Sequence, residues 1–191
     1  MKRLLTVLLT AVLAVSLLAC GGGKTENGNG STPAISDSLE LLNKVWGSYS
    51  DSDKFPAAGG DLSEANSKMD APGKYDISDA EGMDDLLGFP AADISKIDNA
   101  ASLMHMLNAN SFTCGVYHVK SAGDVSAVAA DIKTNVMGKR WMCGFPDKLV
   151  VMSVDDYVVA FYGLDEFVDT FKTKVTGVYS QAKVISETPI E

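Results

Sequence analysis

The groups able to do chemistry in this 191-residue chain are three cysteines, two histidines and 25 carboxylates. Cys20 stands apart, because it closes an apolar run, residues 4–19, that follows Lys2 and Arg3. His105 lies between Met104 and Met106, and thioether and imidazole ligands suit Cu(I), with Cys114, Met142 and Cys143 as further soft donors. On a strand, however, the two methionines share one face and His105 turns to the other. If Leu107 pairs with Phe112, His105 lies opposite Cys114 and the soft ligands are divided. The methionines are then expected to be adaptable core filler, and no metal site is assigned. Neither His105 nor His118 belongs to an HExxH helix, and no GxSxG elbow occurs, so no catalytic residue is assigned either. Asp51-Ser52-Asp53 opens like a calcium loop, but Pro56 replaces the sixth-position glycine and Leu62 the twelfth-position glutamate. The acidic run Asp76, Asp79, Glu81, Asp84, Asp85 is expected to be a solvated face.

The apolar run fixes an expected address. Its sixteen residues make roughly 24 Å of helix, short of a hydrocarbon core of about 30 Å. A basic start, an apolar middle and a small residue at the end read as a processed signal. Leu17-Leu18-Ala19-Cys20 resembles the lipobox of bacterial lipoproteins. The resemblance implies that the thiol of Cys20 receives a diacylglyceryl group and that signal peptidase cuts just before it. Leu18 is bulkier than the residue usual at its position. Residues 1–19 are therefore expected to be a lipoprotein signal peptide. Residues 20–33, rich in glycine and without a large apolar side chain, are expected to be a lipidated flexible tether with an r.m.s. span near 20 Å. That places the following domain on the extracytoplasmic face of the cell membrane.

The charge balance narrows the partners. Sixteen Lys+Arg against 25 Asp+Glu give a net charge of −9, and loss of the leader makes it more acidic. Nucleic acid demands a basic patch and is excluded as an expected partner. The acidic balance also disfavours an electrostatic grip on anionic lipid, so membrane contact is expected through the lipid on Cys20 alone.

The elements that must position these groups follow from hydrophobic periodicity. Residues 35–49 carry Leu39, Leu42, Val45, Trp46 and Tyr49 at helical spacing, with Asp37 and Glu40 as a capping-box pair. Residues 50–82 are rich in Ser, Asp, Gly, Ala and Pro and are expected to be a long irregular segment. A short helical turn at residues 83–87 ends at Gly88. Residues 101–107 and 112–120 are apolar runs around Asn108-Ala109-Asn110-Ser111, a hairpin in which the first run could instead be helical. A helix follows, capped by Ser121 and Asp124, striped by Val125, Val128, Ala129, Ile132 and Val136, and stopped at Gly138. Residues 149–154 and 157–162 form a second hairpin about Asp155-Asp156. Leu164, Phe167, Val168, Phe171 and Val175 mark a last helix closing at Gly177, and residues 184–186 a short strand. The expected fold is α+β in one domain, residues 34–191. It comprises an antiparallel sheet built from two hairpins, with helices packed on one face, preceded by an N-terminal helix.

The stretch from Leu86 to Val175 resembles an uncharacterised family of small Gram-positive lipoproteins, a domain of unknown function. The residues that carry the resemblance are Leu87-Gly88-Phe89, the strand ending in Val119-Lys120, Gly144-Phe145-Pro146, the strand at 149–154 and the Asp-Tyr-Val-Val turn at 156–159. It brings no activity and carries over no functional residue. Cys114 and Cys143 remain once Cys20 is lipidated. They can form a disulfide closing a loop of about 30 residues, or stay as two buried thiols, and both alternatives stand. Trp141 and Phe145, flanking Gly144 and Pro146, could present a recognition patch, although core burial is the expected state. No cofactor is expected. The expected function is a non-catalytic binding or interaction domain at the cell envelope. The alternatives are an envelope enzyme with an unrecognised site and a small ligand-binding lipoprotein of an importer.

Overall fold

The structure, a computed structural model, describes residues 34–142 and 144–191. Cys20, the signal segment, the tether and Cys143 lie outside the described residues.

The first helix, α1 (Ser38–Gly47), begins where the sequence places its cap: Asp37 Oδ1 accepts the Glu40 amide at 2.7 Å. The capping box closes one residue early. The Glu40 carboxylate takes the backbone N–H and hydroxyl of Ser36, not the amide of Asp37. The segment expected to be irregular holds three short strands, β1 (Ala57–Gly59), β2 (Lys68–Met69) and β3 (Gly73–Tyr75). The turn at Met83–Leu87 ends at Gly88, whose φ of +69° is the left-handed conformation that suits glycine.

The body of the sheet comprises β4 (Ile97–His105), β5 (Phe112–Val119), β6 (Lys148–Val154), β7 (Tyr157–Gly163) and β8 (Lys183–Pro189). All pairings are antiparallel, in the order β2-β1-β4-β5-β7-β6-β8, with β3 also on β4. The two expected hairpins, β4–β5 and β6–β7, lie side by side through β5 and β7. Residues 101–105 are strand, which removes the helical alternative. The hairpin register is two residues from the expected one: Leu103, not His105, opposes Cys114. The connection takes six residues because Met106 N–H is drawn to Pro56 O and Asn108 Oδ1 closes a turn on Asn110 N–H. A shift of two preserves faces, so His105 and Cys114 still lie on the same side, away from Met104.

The helices α2 (Val125–Met137) and α3 (Asp165–Val178) complete the fold. The expectation that helices pack on one face is corrected. On one face α1 and α3 cover Leu103, Cys114, Val116, Val150, Val159 and Phe161. On the other, α2 and the 83–89 segment cover Tyr117, Leu149, Val151, Val158 and Ala160. The reason is in β7: every residue from Tyr157 to Gly163 is buried, so both faces of the central strands need a cover. Among the described residues no helix is long and apolar enough to cross a membrane.

Candidate functional site

The two ends of the sheet differ in chemistry. At one end lie the chain entry and His118. The β4 ladder shifts between Ile97 and Asn99, leaving Asp98 as the extra residue of a bulge. The bulge aims Asp98 at the imidazole on the neighbouring strand. Oδ1 of Asp98 lies 2.6 Å from Nδ1 of His118, and Oδ2 of Asp156, from the β6–β7 turn, lies 3.1 Å from Nε2. The Tyr157 ring packs against the imidazole at 4.8 Å between centroids. Burial alone would lower the pKa of His118, but the hydrogen bonds to Asp98 and Asp156 outweigh it and hold the pKa above the ordinary value. Both ring nitrogens are taken, so neither is free to act as a base toward a ligand. The arrangement is an ionic clasp between the two hairpins.

The clasp has a pH signature. A histidine whose pKa is raised on folding contributes its full stability below about pH 6.5 and loses it as pH rises through the folded-state value. His118→Gln is expected to cost about 1 kcal/mol at pH 5.5. The difference from the parent should shrink toward zero by pH 9, as urea unfolding at a series of pH values would show. A constant difference would mean that the ring acts through packing alone.

At the opposite end, the loops at 106–111 and 139–147 are fastened together. Asn110 Nδ2 donates to Met142 O at 2.8 Å and to Gly144 O at 3.0 Å. Gly163 brings β7 hard against this end: a Cβ there would lie 2.2 Å from Ser111 O, with φ at +153°. The fastened loops expose large apolar side chains. Leu107 is 76 % exposed, Met142 77 % and Phe145 66 %, with Met106 exposed beside them. Expected core burial is therefore corrected for Phe145. Trp141 is half-buried, its ring 5.1 Å from that of Tyr162 on the α2 side of the sheet. Large apolar groups exposed on joined loops are candidates for an interaction surface, and methionine adapts its shape to a partner.

The remaining candidates separate. Met104 is buried in the sheet, whereas His105 stacks on Phe55 and Phe167 across the other face, so Met104 and His105 cannot share a ligand. Cys114 is fully buried, and burial pushes its thiol pKa well up, so it is no nucleophile. The acidic run is divided among local bonds. Asp76 holds Ser78, Asp79 caps Gly82 N–H and Asp84 accepts from Asn135. Among the described residues no group of three or more His, Cys, Asp or Glu is placed to hold a metal ion.

The residues the sequence did not bring together are Asp98 and Asp156. Asp156 lies in the turn that the sequence places at residues 155–156, but its approach to His118 depends on the β5–β7 register, which sets Tyr157 opposite His118. Asp98 depends on a bulge that no periodicity announces. Fold and surface together define an α+β domain with an ion-clasped end and an apolar loop end. No family model, no curated protein and no solved structure matches the chain.

Proposed function

We propose that this chain is a lipid-anchored extracytoplasmic binding domain. It would be joined to the cell membrane through Cys20 and hold a protein partner of the cell envelope with its apolar loop end. The observation that carries the reading is the placement of that end. Ile35 O accepts from Tyr157 Oη, so the chain enters the domain where β7 starts. The apolar loops lie where β7 finishes, six residue steps or about 20 Å away. Leu107, Met142 and Phe145 therefore lie at the end of the sheet opposite the one at which residue 35 joins it. The Leu-Leu-Ala-Cys segment and the resemblance to small Gram-positive lipoproteins agree with this reading.

The test is crosslinking and recovery with the full chain in its own membrane. The parent is expected to recover a reproducible partner, and Leu107→Asp combined with Phe145→Asp to lose it. The paired change should alter stability by no more than about 0.5 kcal/mol per site, because both side chains are exposed. Recovery of the same partner by the doubly changed protein would sink the assignment of the loops.

A further inference from the structure

The apolar loop end also carries an exceptional cation. The sequence holds two arginines, Arg3 near its start and Arg140 in the 139–147 loop. Arg140 is thus the sole arginine among the described residues. Its two neighbours are fixed. Lys139 Nζ donates to the backbone carbonyls of Asp84 and Asp85 at 3.2 and 2.7 Å, and the Trp141 ring packs on that of Tyr162. Arg140, between them, is exposed. Among the described residues no carboxylate oxygen lies within 4.0 Å of its guanidinium. Lys96, Lys148, Lys172 and Lys174, by contrast, pair with acids of their own chain.

The setting of this cation is local and positive. The fastened loops, 106–111 and 139–147, carry Lys139, Arg140 and Asp147 and no other charged side chain, on a chain of net charge −9. Lys139 is spent on its two carbonyls. Asp147 is also occupied, its Oδ2 accepting the Asp165 N–H at 2.9 Å. What the loop end holds out is therefore one guanidinium close in the chain to exposed Met142 and Phe145. A guanidinium offers five donors in a planar fork that matches a carboxylate bidentately. Arginine, methionine and aromatic residues together are the types enriched at protein interfaces.

We propose that Arg140 receives a carboxylate side chain of the partner. The segment that fits the loop end then sets an Asp or Glu beside large apolar side chains. The inference rests on the reading of the loops as the binding end and adds the partner's chemistry to it. A flat anionic lipid surface fits less well. It would bring Asp84 and Asp85, which lie beside Lys139, and the rest of an acidic body within a screening length of about 8 Å. A single carboxylate on a protein segment can reach Arg140 alone.

The test uses the full chain in its own membrane. Arg140→Lys keeps the charge and supplies an amine, and a water-soluble carbodiimide joins an amine to a carboxylate with loss of water. Mass spectrometry is expected to find an amide between position 140 and an Asp or Glu side chain of another protein. Adding Leu107→Ala and Phe145→Ala should lower its yield about ten-fold or more. In the recovery experiment described above, Arg140→Glu should lower recovery of the partner about ten-fold or more, since it removes a charge-assisted bond at an exposed site. Undiminished recovery by a folded Arg140→Glu protein, with recovery lost by Leu107→Asp and Phe145→Asp, would keep the loops as the binding end and overturn the carboxylate. Recovery kept by all of these proteins, or no partner for the parent, would overturn both readings together. Failure to find the amide to another protein would overturn the inference alone. So would a lipid occupant, seen as quenching of Trp141 fluorescence when the acylated chain is placed in vesicles of brominated phosphatidylglycerol, and absent from Trp141→Phe.

Discussion

Cys20→Ala is expected to move the protein wholesale from the membrane to the soluble fraction. Each buried methylene of an acyl chain contributes about 0.8 kcal/mol, and two chains make a stable anchor where one is marginal. The expected change is therefore near-complete release. Fractionation of cells, with mass spectrometry of the amino-terminal peptide, measures it directly. The thermal midpoint of the domain should not move, because the compact unit begins beyond the substituted residue. A Cys20→Ala protein that stays with the membrane, or a parent retaining Met1 without an acyl group, would remove the anchor from the account.

The second large effect lies in the core. Phe112→Ala is expected to destabilise the domain by about 4 kcal/mol, through lost burial and the cavity left behind. Phe112 is fully buried at the start of β5, its ring centroid 5.2 Å from those of Phe55 and Phe171 and 6.4 Å from that of Phe161. It joins both hairpins to α3 and the 50–56 segment, so no single neighbour can collapse into the space. Against a total stability of about 5–15 kcal/mol for a typical domain, such a loss brings the unfolded state within reach. Urea unfolding should show the midpoint fall with little change in slope. Phe145→Ala, the same chemistry at an exposed loop, should change the midpoint hardly at all. Equal effects at the two positions would contradict the burial described for them.

Most elements could be read from the sequence because their signals are local. Asp37 caps α1, Gly88 ends the 83–87 turn, and Asp155 takes the positive φ of +53° that its turn demands. Ser121 and Asp124 were less informative. The helix begins at Val125, but neither side chain caps it, and a short 3-10 turn at Ala122–Asp124 leads in instead. The placement of helices on both faces was legible in principle. Tyr157 to Tyr162 lacks the apolar–polar alternation of a strand wetted on one side. The short strands β1 to β3 were not legible, since two or three residues carry no period and gain their pairing only from the edge of β4.

The candidate sites were legible only in fragments. His118 gave no hint of two carboxylate partners, because Asp98 and Asp156 are 20 and 38 residues away in the chain. Phe145 misled in the other direction. A large aromatic side chain is expected in the core, yet Phe145 is exposed while Pro146 beside it is buried.

The outermost strands carry a consequence for copies of this domain that meet edge to edge. The pairing of β6 with β8 is interrupted between Ser186 and Val184, so Ile185 stands out of register, and Pro189 ends the strand without an amide hydrogen. At the far side, β2 is only two residues long. Neither rim offers a long, regular row of amide groups to a neighbouring molecule. Encounters between copies, however frequent, are thereby kept from nucleating strand-to-strand polymers.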